Sequence, residues 1–523
     1  MATNTGTAVV GTTAAGAAVV GPKAAGAAVV GTIGLILAGL SACSAPGLGG
    51  TTFACSTDAD CVGGKVCGVV NGEMGCVSPD ESPISIGLSA PLQGPSQNLG
   101  IEMRRGIQAL FKNVNDAGGV FGRQLQLTSM NDNYDPATAL ANVQQMLDIQ
   151  QTVAAPDLPD VRGPNSVLAL LGNVGTPTML VTAPVANKNG VVFFAPFTGA
   201  QKYLRDGTDS PYVFNYRAGY YEETAAMVDY MQSFRAPRII TGPTSYNHIL
   251  AFTQHDTYGD AGYGGLVSAF NSRVGALPQP DSTMPNPSIT RIMYERDDVT
   301  SVDPAVVSAE AFLSNLMLET TPKVSVAIVM IDTYQPGDSF TRGIKDWINA
   351  DLGRATKLDV LFIHVSFVGS DALAQALGSP PATYVDGTDP TGQTTKFYGD
   401  GVMVTQVVPY YQSQAQGITA YRNDIGKFDS GVYSFTSLEG YVAAKLFVEG
   451  LNRNGHTIND LNLVATLQSD MTDVDVGIGT LLDFSSTSHQ ACHTVWGSRI
   501  GTNGTFTVPF IWDSTNGIVP GAG

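Results

Sequence analysis

Positive charge is scarce in this 523-residue chain: 27 Lys and Arg stand against 45 Asp and Glu, a formal charge of −18. No basic footprint for a phosphate backbone results, and an anionic membrane surface repels the bulk of such a chain, so nucleic acid is not an expected partner. Histidine is rarer still, with six residues and none in metal-ligand spacing. The chain also lacks a G-x-S-x-G elbow, a G-x4-G-K-[ST] phosphate loop, an H-E-x-x-H pair and a G-x-G-x-x-G after a strand. Hydrolytic and redox chemistry have little to stand on, and the expectation is a non-enzyme with no cofactor and no metal.

Cysteine is missing over most of the length. Cys43 is followed by Cys55, Cys61, Cys67 and Cys76, and then by none until Cys492. The spacing C-x5-C-x5-C-x8-C lacks the C-x2-C knuckles and histidines of a zinc site. Residues 53–80 have too few large apolar side chains to fold alone, so two disulfides among Cys55, Cys61, Cys67 and Cys76 are expected, with all three pairings open. Disulfides imply an oxidising compartment. Cys492, beside His493, has no flanking base and orienting carboxylate and reads as a core thiol.

Acidic residues are absent before Asp58. "AVVG" recurs at 8–11, 18–21 and 28–31, a low-complexity leader. From Lys23 onward, one positive charge, the small-apolar run "AAGAAVVGTIGLILAGL" and "LSAC" follow the order of an export signal. Leu40-Ser41-Ala42-Cys43 resembles the lipobox of bacterial lipoproteins, which implies cleavage before Cys43 and acylation of its thiol. An uncleaved anchor over Ala24 to Ala42 and an ordinary secreted signal are the alternatives. The resulting division is a leader over 1–42, a tether over 43–52 and a Cys-rich segment over 53–80.

With 43% hydrophobic residues, the remaining length holds two or three ordinary domains. "ISIGLSA" (84–90) is an apolar strand, and "LGIEMRRGIQALFKNVNDAGG" (99–119) places Ile101, Met103, Ile107, Leu110, Phe111 and Val114 near helical spacing before a Gly-Gly stop. "RQLQLTSM", "SVLALLG", "VVFFAPF", "HILAFTQ", "VSVAIVMID", "DVLFIHVS" and "VMVTQVVP" follow, each separated by room for a crossover helix. That order predicts parallel α/β sheets with helices on both faces, and ligands beyond the carboxyl ends of the strands. The loops there are rich in Gly, Ser, Thr and Tyr, the vocabulary of small-molecule binding.

"ISIGLSAPLQGPSQNLGIEMRRGIQALFKNVNDAGGVFGRQLQL" resembles the opening of the type I periplasmic solute-binding proteins of the Leu/Ile/Val-binding family, and "GNVGTPTML", "APFTGA", "HDTYGDAGYGG", "SFVGSDALAQALG" and "SFTSLEGYVAAKLFVEGL" continue in that family's order. The resemblance implies two Rossmann-like α/β lobes with parallel sheets, joined by three hinge crossings and closing on a solute. The lobes are expected at 84–214 with 406–478, and at 215–405 with 479–515. The crossings are expected near Tyr212–Arg217, Val402–Pro409 and Gly477–Leu482.

Carried over from the family, the carboxylate subsite falls at Gly175, Thr176, Phe197, Thr198 and Gly199. An aromatic contact falls at Tyr258 and a second at Thr333 or Tyr334. The position of the acidic ammonium partner falls at Ser366, a departure that leaves an amino-acid ligand unassured, with Asp332 and Asp371 as nearby substitutes. Glu439 reads as structural. The implied function is capture of a small polar solute, an amino acid or a related compound, for an ABC-type membrane permease. It is placed in the periplasm or at the cell surface, lipid-anchored and otherwise outside the membrane. A ligand-sensing lipoprotein that signals to a membrane partner is the alternative.

Overall fold

The computed structural model describes residues 54–521, apart from 57–59, 64, 71–72, 79–81, 202–209, 235–247, 274–287, 321, 379–382, 387–388, 390, 392–393 and 430. The leader and the whole of the tether, Cys43 included, lie outside the described residues. No described helix is long and apolar enough to cross a membrane.

The Cys-rich segment is an antiparallel hairpin of Val66–Val70 and Glu73–Val77. Cys67 and Cys76 face each other across it, and each is bonded to an earlier cysteine, giving Cys55–Cys67 and Cys61–Cys76. Two cross-links in so short a segment supply the constraint that its missing core cannot.

Ile84–Ala90 then opens a five-stranded parallel sheet in the order Leu125–Asn131, Ile84–Ala90, Ala169–Leu171, Val192–Phe194, Val213–Phe214. Helix Gln97–Asp116 buries Met103, Ile107, Leu110 and Phe111 of the stripe its spacing predicts, together with Leu99, while Ile101 and Val114 are half-buried. It packs on the late helix Phe435–Asn454 at reciprocal glycines. A Cβ on Gly106 would lie 1.9 Å from the Ser437 carbonyl oxygen, and one on Gly440 2.3 Å from that of Met103. Backbone-to-backbone contact at these two points is what brings helix Phe435–Asn454 into the first lobe.

The second sheet has eight strands, in the order Ser288–Tyr294, His248–Gln254, Val324–Ile331, Leu358–His364, Met403–Gln406, Val495–Ile500, Phe506–Asp513, Gly517–Pro520. Val324–Ile331 is buried at every position, as a central parallel strand covered on both faces must be. The first five strands run parallel. The last three pair antiparallel, a departure from the all-parallel expectation.

The chain leaves the small sheet after Phe214 and returns from the large one after Gln406. It crosses a third time beside the first crossing: Asn215 N donates to His489 O at 2.7 Å, and Cys492 N to Tyr216 O at 2.6 Å. This third crossing lies later than Gly477–Leu482. Gly477 accepts from Gly417 N, and Leu482 pairs with Val474. The Phe484 ring stands edge-on to Phe194 and Phe214 of the small sheet. Aromatic packing therefore keeps residues 477–484 in the first lobe.

Candidate functional site

Two loops of the small sheet are zipped together. Gly175 N donates to Phe197 O at 3.1 Å and Phe197 N to Asn173 O at 2.8 Å. Gly175 has φ +105°, and a Cβ there would strike the Tyr134 ring at 2.2 Å, so glycine alone fits. This pairing sets the Thr176 hydroxyl, at the start of helix Thr176–Lys188, 2.6 Å from the Thr198 hydroxyl. Both are buried at the carboxyl ends of parallel strands, with first-turn amides of the helix alongside. Gly199 lies under the Tyr220 ring.

The second lobe supplies rings. Tyr258 is fully buried and donates to the Asp332 carbonyl at 2.9 Å, and burial pushes its phenol well above the usual range. Phe367 projects from the turn Ser366–Val368 and stacks on Phe197 with centroids 5.1 Å apart, 4.7 Å from Tyr258 and 6.1 Å from Tyr134. One ring of the second lobe thus fills the space between aromatics of both. Thr333 is the N-cap of helix Tyr334–Asn349, its amide held by the Tyr294 hydroxyl at 3.1 Å. Tyr334 stands apart, lining a recess of 390 Å³ with Asn98 of the opposite lobe.

Ser366 is not isolated. Its amide donates to Glu223 Oε2 at 2.7 Å and its hydroxyl to Glu223 Oε1 at 3.0 Å. Glu223 also accepts from the Thr405 hydroxyl at 2.6 Å and pairs with Arg217 at 3.1 Å. Arg217 reaches the other lobe as well, to Glu439 at 3.1 Å, and contacts the Ser366 hydroxyl. Burial by itself would lower the pKa of this guanidinium, but Glu439 and Glu223 outweigh burial and raise it. Glu439, read from sequence as a structural carboxylate with none near it, therefore shares a buried cation with a second carboxylate.

The two substitute carboxylates are engaged elsewhere. Asp332 Oδ1 lies 2.9 Å from His364 Nδ1, both side chains fully buried; burial raises the Asp332 pKa against the pull of His364. Asp371 Oδ2 accepts from Phe435 N at 2.8 Å, and Oδ1 from the Tyr411 hydroxyl at 2.9 Å. The Phe435 bond joins the lobes, as does that of the Ser96 hydroxyl to Asp297 at 2.7 Å.

Phe197 and Tyr258 thus meet across the lobes through Phe367, the Thr176–Thr198 pair lies next to Phe197 in the chain, and Ser366 belongs to a buried ionic cluster. Arg217, Glu223, Phe367, Tyr134 and Tyr220 escaped the reading of the sequence. The available signal was "FNYRAGYYEET", where an arginine sits among aromatics that have to be buried.

Two α/β lobes joined by three crossings make up the fold of the type I periplasmic binding proteins. A sequence profile of a periplasmic binding protein family matches residues 83–248. The Leu/Ile/Val-binding protein homolog 1 of Brucella abortus is 24% identical over 124 residues, 24% of this chain and 29% of that protein. The chain thus matches under a third of the length of its curated relatives. A possible leucine/isoleucine/valine-binding protein from Rhodopirellula baltica is 29% identical, covers 83% of this chain and 97% of its own, and superposes with a TM-score of 0.64. A branched chain amino acid ABC transporter protein from Thermus thermophilus with bound valine (13% identity, 84% and 97% coverage, TM-score 0.59) shares the fold. So does a fatty acid ABC transporter substrate-binding protein from Thermomonospora curvata (15%, 84% and 93%, 0.60). The chain thus has the fold of the type I periplasmic binding proteins over most of its length, and over residues 83–248 it is similar in sequence to a periplasmic binding protein family.

Proposed function

We propose that the chain is an extracytoplasmic receptor that captures a small polar solute between its lobes and delivers it to an ABC-type membrane permease, tethered to the membrane by a lipid on Cys43. The observation that supports it best is the buried Thr176–Thr198 hydroxyl pair, set by loop zipping beside Phe197, Phe367 and Tyr258 at the meeting of two hinged lobes. Hydroxyls and helix amides receive a carboxylate or carbonyl, and the Phe197 and Tyr258 rings cover the apolar part once Phe367 has withdrawn from between them. Lobe closure desolvates both, so affinity depends on the closed state.

Thermal unfolding of the full chain against a panel of amino acids, amides and carboxylic acids tests this. A solute at 100 times its dissociation constant adds about 2.7 kcal/mol of stability. The double substitution Thr176→Val and Thr198→Val, which keeps side-chain volume, is expected to weaken that solute at least tenfold; unchanged affinity removes these hydroxyls from the site.

A further inference from the structure

We infer that Arg217 permanently occupies the cation position of the cleft, so that the site selects solutes carrying a carboxylate but no ammonium group. This rests on the receptor reading above. An ammonium enclosed by closing lobes needs an ionised partner with acceptor capacity to spare, because a buried unpaired charge is strongly unfavourable. The carboxylates near the meeting of the lobes include Glu223, Glu439, Asp332, Asp371 and Asp297, and each already has a partner; Asp332 keeps Oδ2 without one, but this side chain is fully buried and desolvation pushes it toward the uncharged form.

Glu223 accepts from the Ser366 amide, the Ser366 and Thr405 hydroxyls and the Arg217 guanidinium. Glu439 is held by Arg217, Asp332 by His364, Asp371 by Tyr411 and Phe435, and Asp297 by Ser96. Arg217 itself is 0% exposed and lies 5.2 Å from the centroid of Phe197, the neighbour of Thr198. A chain-borne cation thus already holds Glu223 and Glu439 beside Phe197 and Ser366. The guanidinium is planar, cannot lose its proton, and is braced by both lobes, so a solute cation does not readily displace it. Two carboxylates share this one guanidinium, and the surplus on Glu223 is met by an amide and two hydroxyls. The Thr176 and Thr198 hydroxyls remain on the acceptor-recognising side, which suits a carboxylate.

Titration calorimetry on the full chain with matched pairs tests the inference: leucine against 4-methyl-2-oxopentanoate, phenylalanine against 3-phenylpropanoate, glutamate against glutarate. At least one deaminated acid is expected to bind tenfold or more tighter than its amino acid. An amino acid that binds as tightly as its partner overturns the inference and leaves the receptor reading standing, as does binding confined to uncharged amides. No binding across acids, amino acids and amides overturns both. Arg217→Ala frees Glu223 and Glu439 for a solute ammonium, and the preference is expected to shift at least tenfold toward the amino acid. Arg217→Lys, which keeps the cation, is expected to retain the preference for the acid. A purely structural Arg217 would change both affinities alike and is thereby excluded or established. If Arg217→Ala does not fold, the matched pairs on the unsubstituted chain decide.

Discussion

Phe367 is fully buried and touches aromatics of both lobes, so its ring contributes to closure as well as to the second lobe's own packing. Truncation to Ala is expected to cost about 3–5 kcal/mol, as for large-to-small changes in close-packed cores, and urea unfolding of the variant measures it. The position of Thr176, Thr198 and Tyr258 just beyond strands was legible, because each follows a short apolar run. Arg217 was not legible as a cleft residue. Its role depends on Glu439, 222 positions away, and on Ser366, 149 away, and no local pattern encodes such a meeting. Ser366 was legible as a departure from the family, but its partner Glu223 lies on a helix 143 positions earlier.

Among elements, strands buried on both faces were the easiest to read. "HILAFTQ" and "VSVAIVMID" are continuous apolar runs and form His248–Gln254 and Val324–Ile331. The edge strand Ser288–Tyr294 escaped because "SITRIMY" carries an arginine and is apolar only in part. The antiparallel end of the large sheet escaped because "VWGSRI" and "FTVPFIWD" have no crossover helix between them to set direction. Helices Ser370–Gly378 and Phe435–Asn454, from opposite lobes, meet through Asp371. Burial pushes this carboxyl up to about 7 from an ordinary 3.8, against the bonds from Phe435 and Tyr411 and with a small push from Glu102. The folded chain therefore keeps a proton that the unfolded chain releases. The associated stability is fully present below about pH 4 and is lost as pH rises to about 7. Asp371→Asn is expected to flatten that part of the melting-temperature profile between pH 4 and pH 7; an unchanged slope assigns the dependence to other groups.

In the molecule as a whole, the disulfide hairpin abuts the first lobe at a recess of 480 Å³ lined by Cys67, Met74, Arg123, Arg162 and Asp460, away from the cleft. Both disulfides lie within residues 55–76, and among the described residues the lobes carry none. Loop-closing cross-links act on the segment they close. Reduction is expected to abolish amide protection in the hairpin while the melting of the lobes and solute affinity stay within error; a fall in affinity would make the hairpin part of the receptor. The cysteine spacing announced the cross-links, but the pairing needed the strand register, which places Cys67 opposite Cys76 and sends each to a different partner. The ring of Phe367 has one further consequence, for measured affinity. On the proposed receptor reading this ring, packed between Phe197 and Tyr258, is a tethered competitor at fixed stoichiometry, so a solute is expected to bind only the fraction of molecules in which it has withdrawn. Apparent affinity is weakened by that fraction, about a hundredfold if one molecule in a hundred is open. Phe367→Ala should then bind more tightly than the unsubstituted chain even while it is less stable, which separates the cost of opening the cleft from the strength of its contacts.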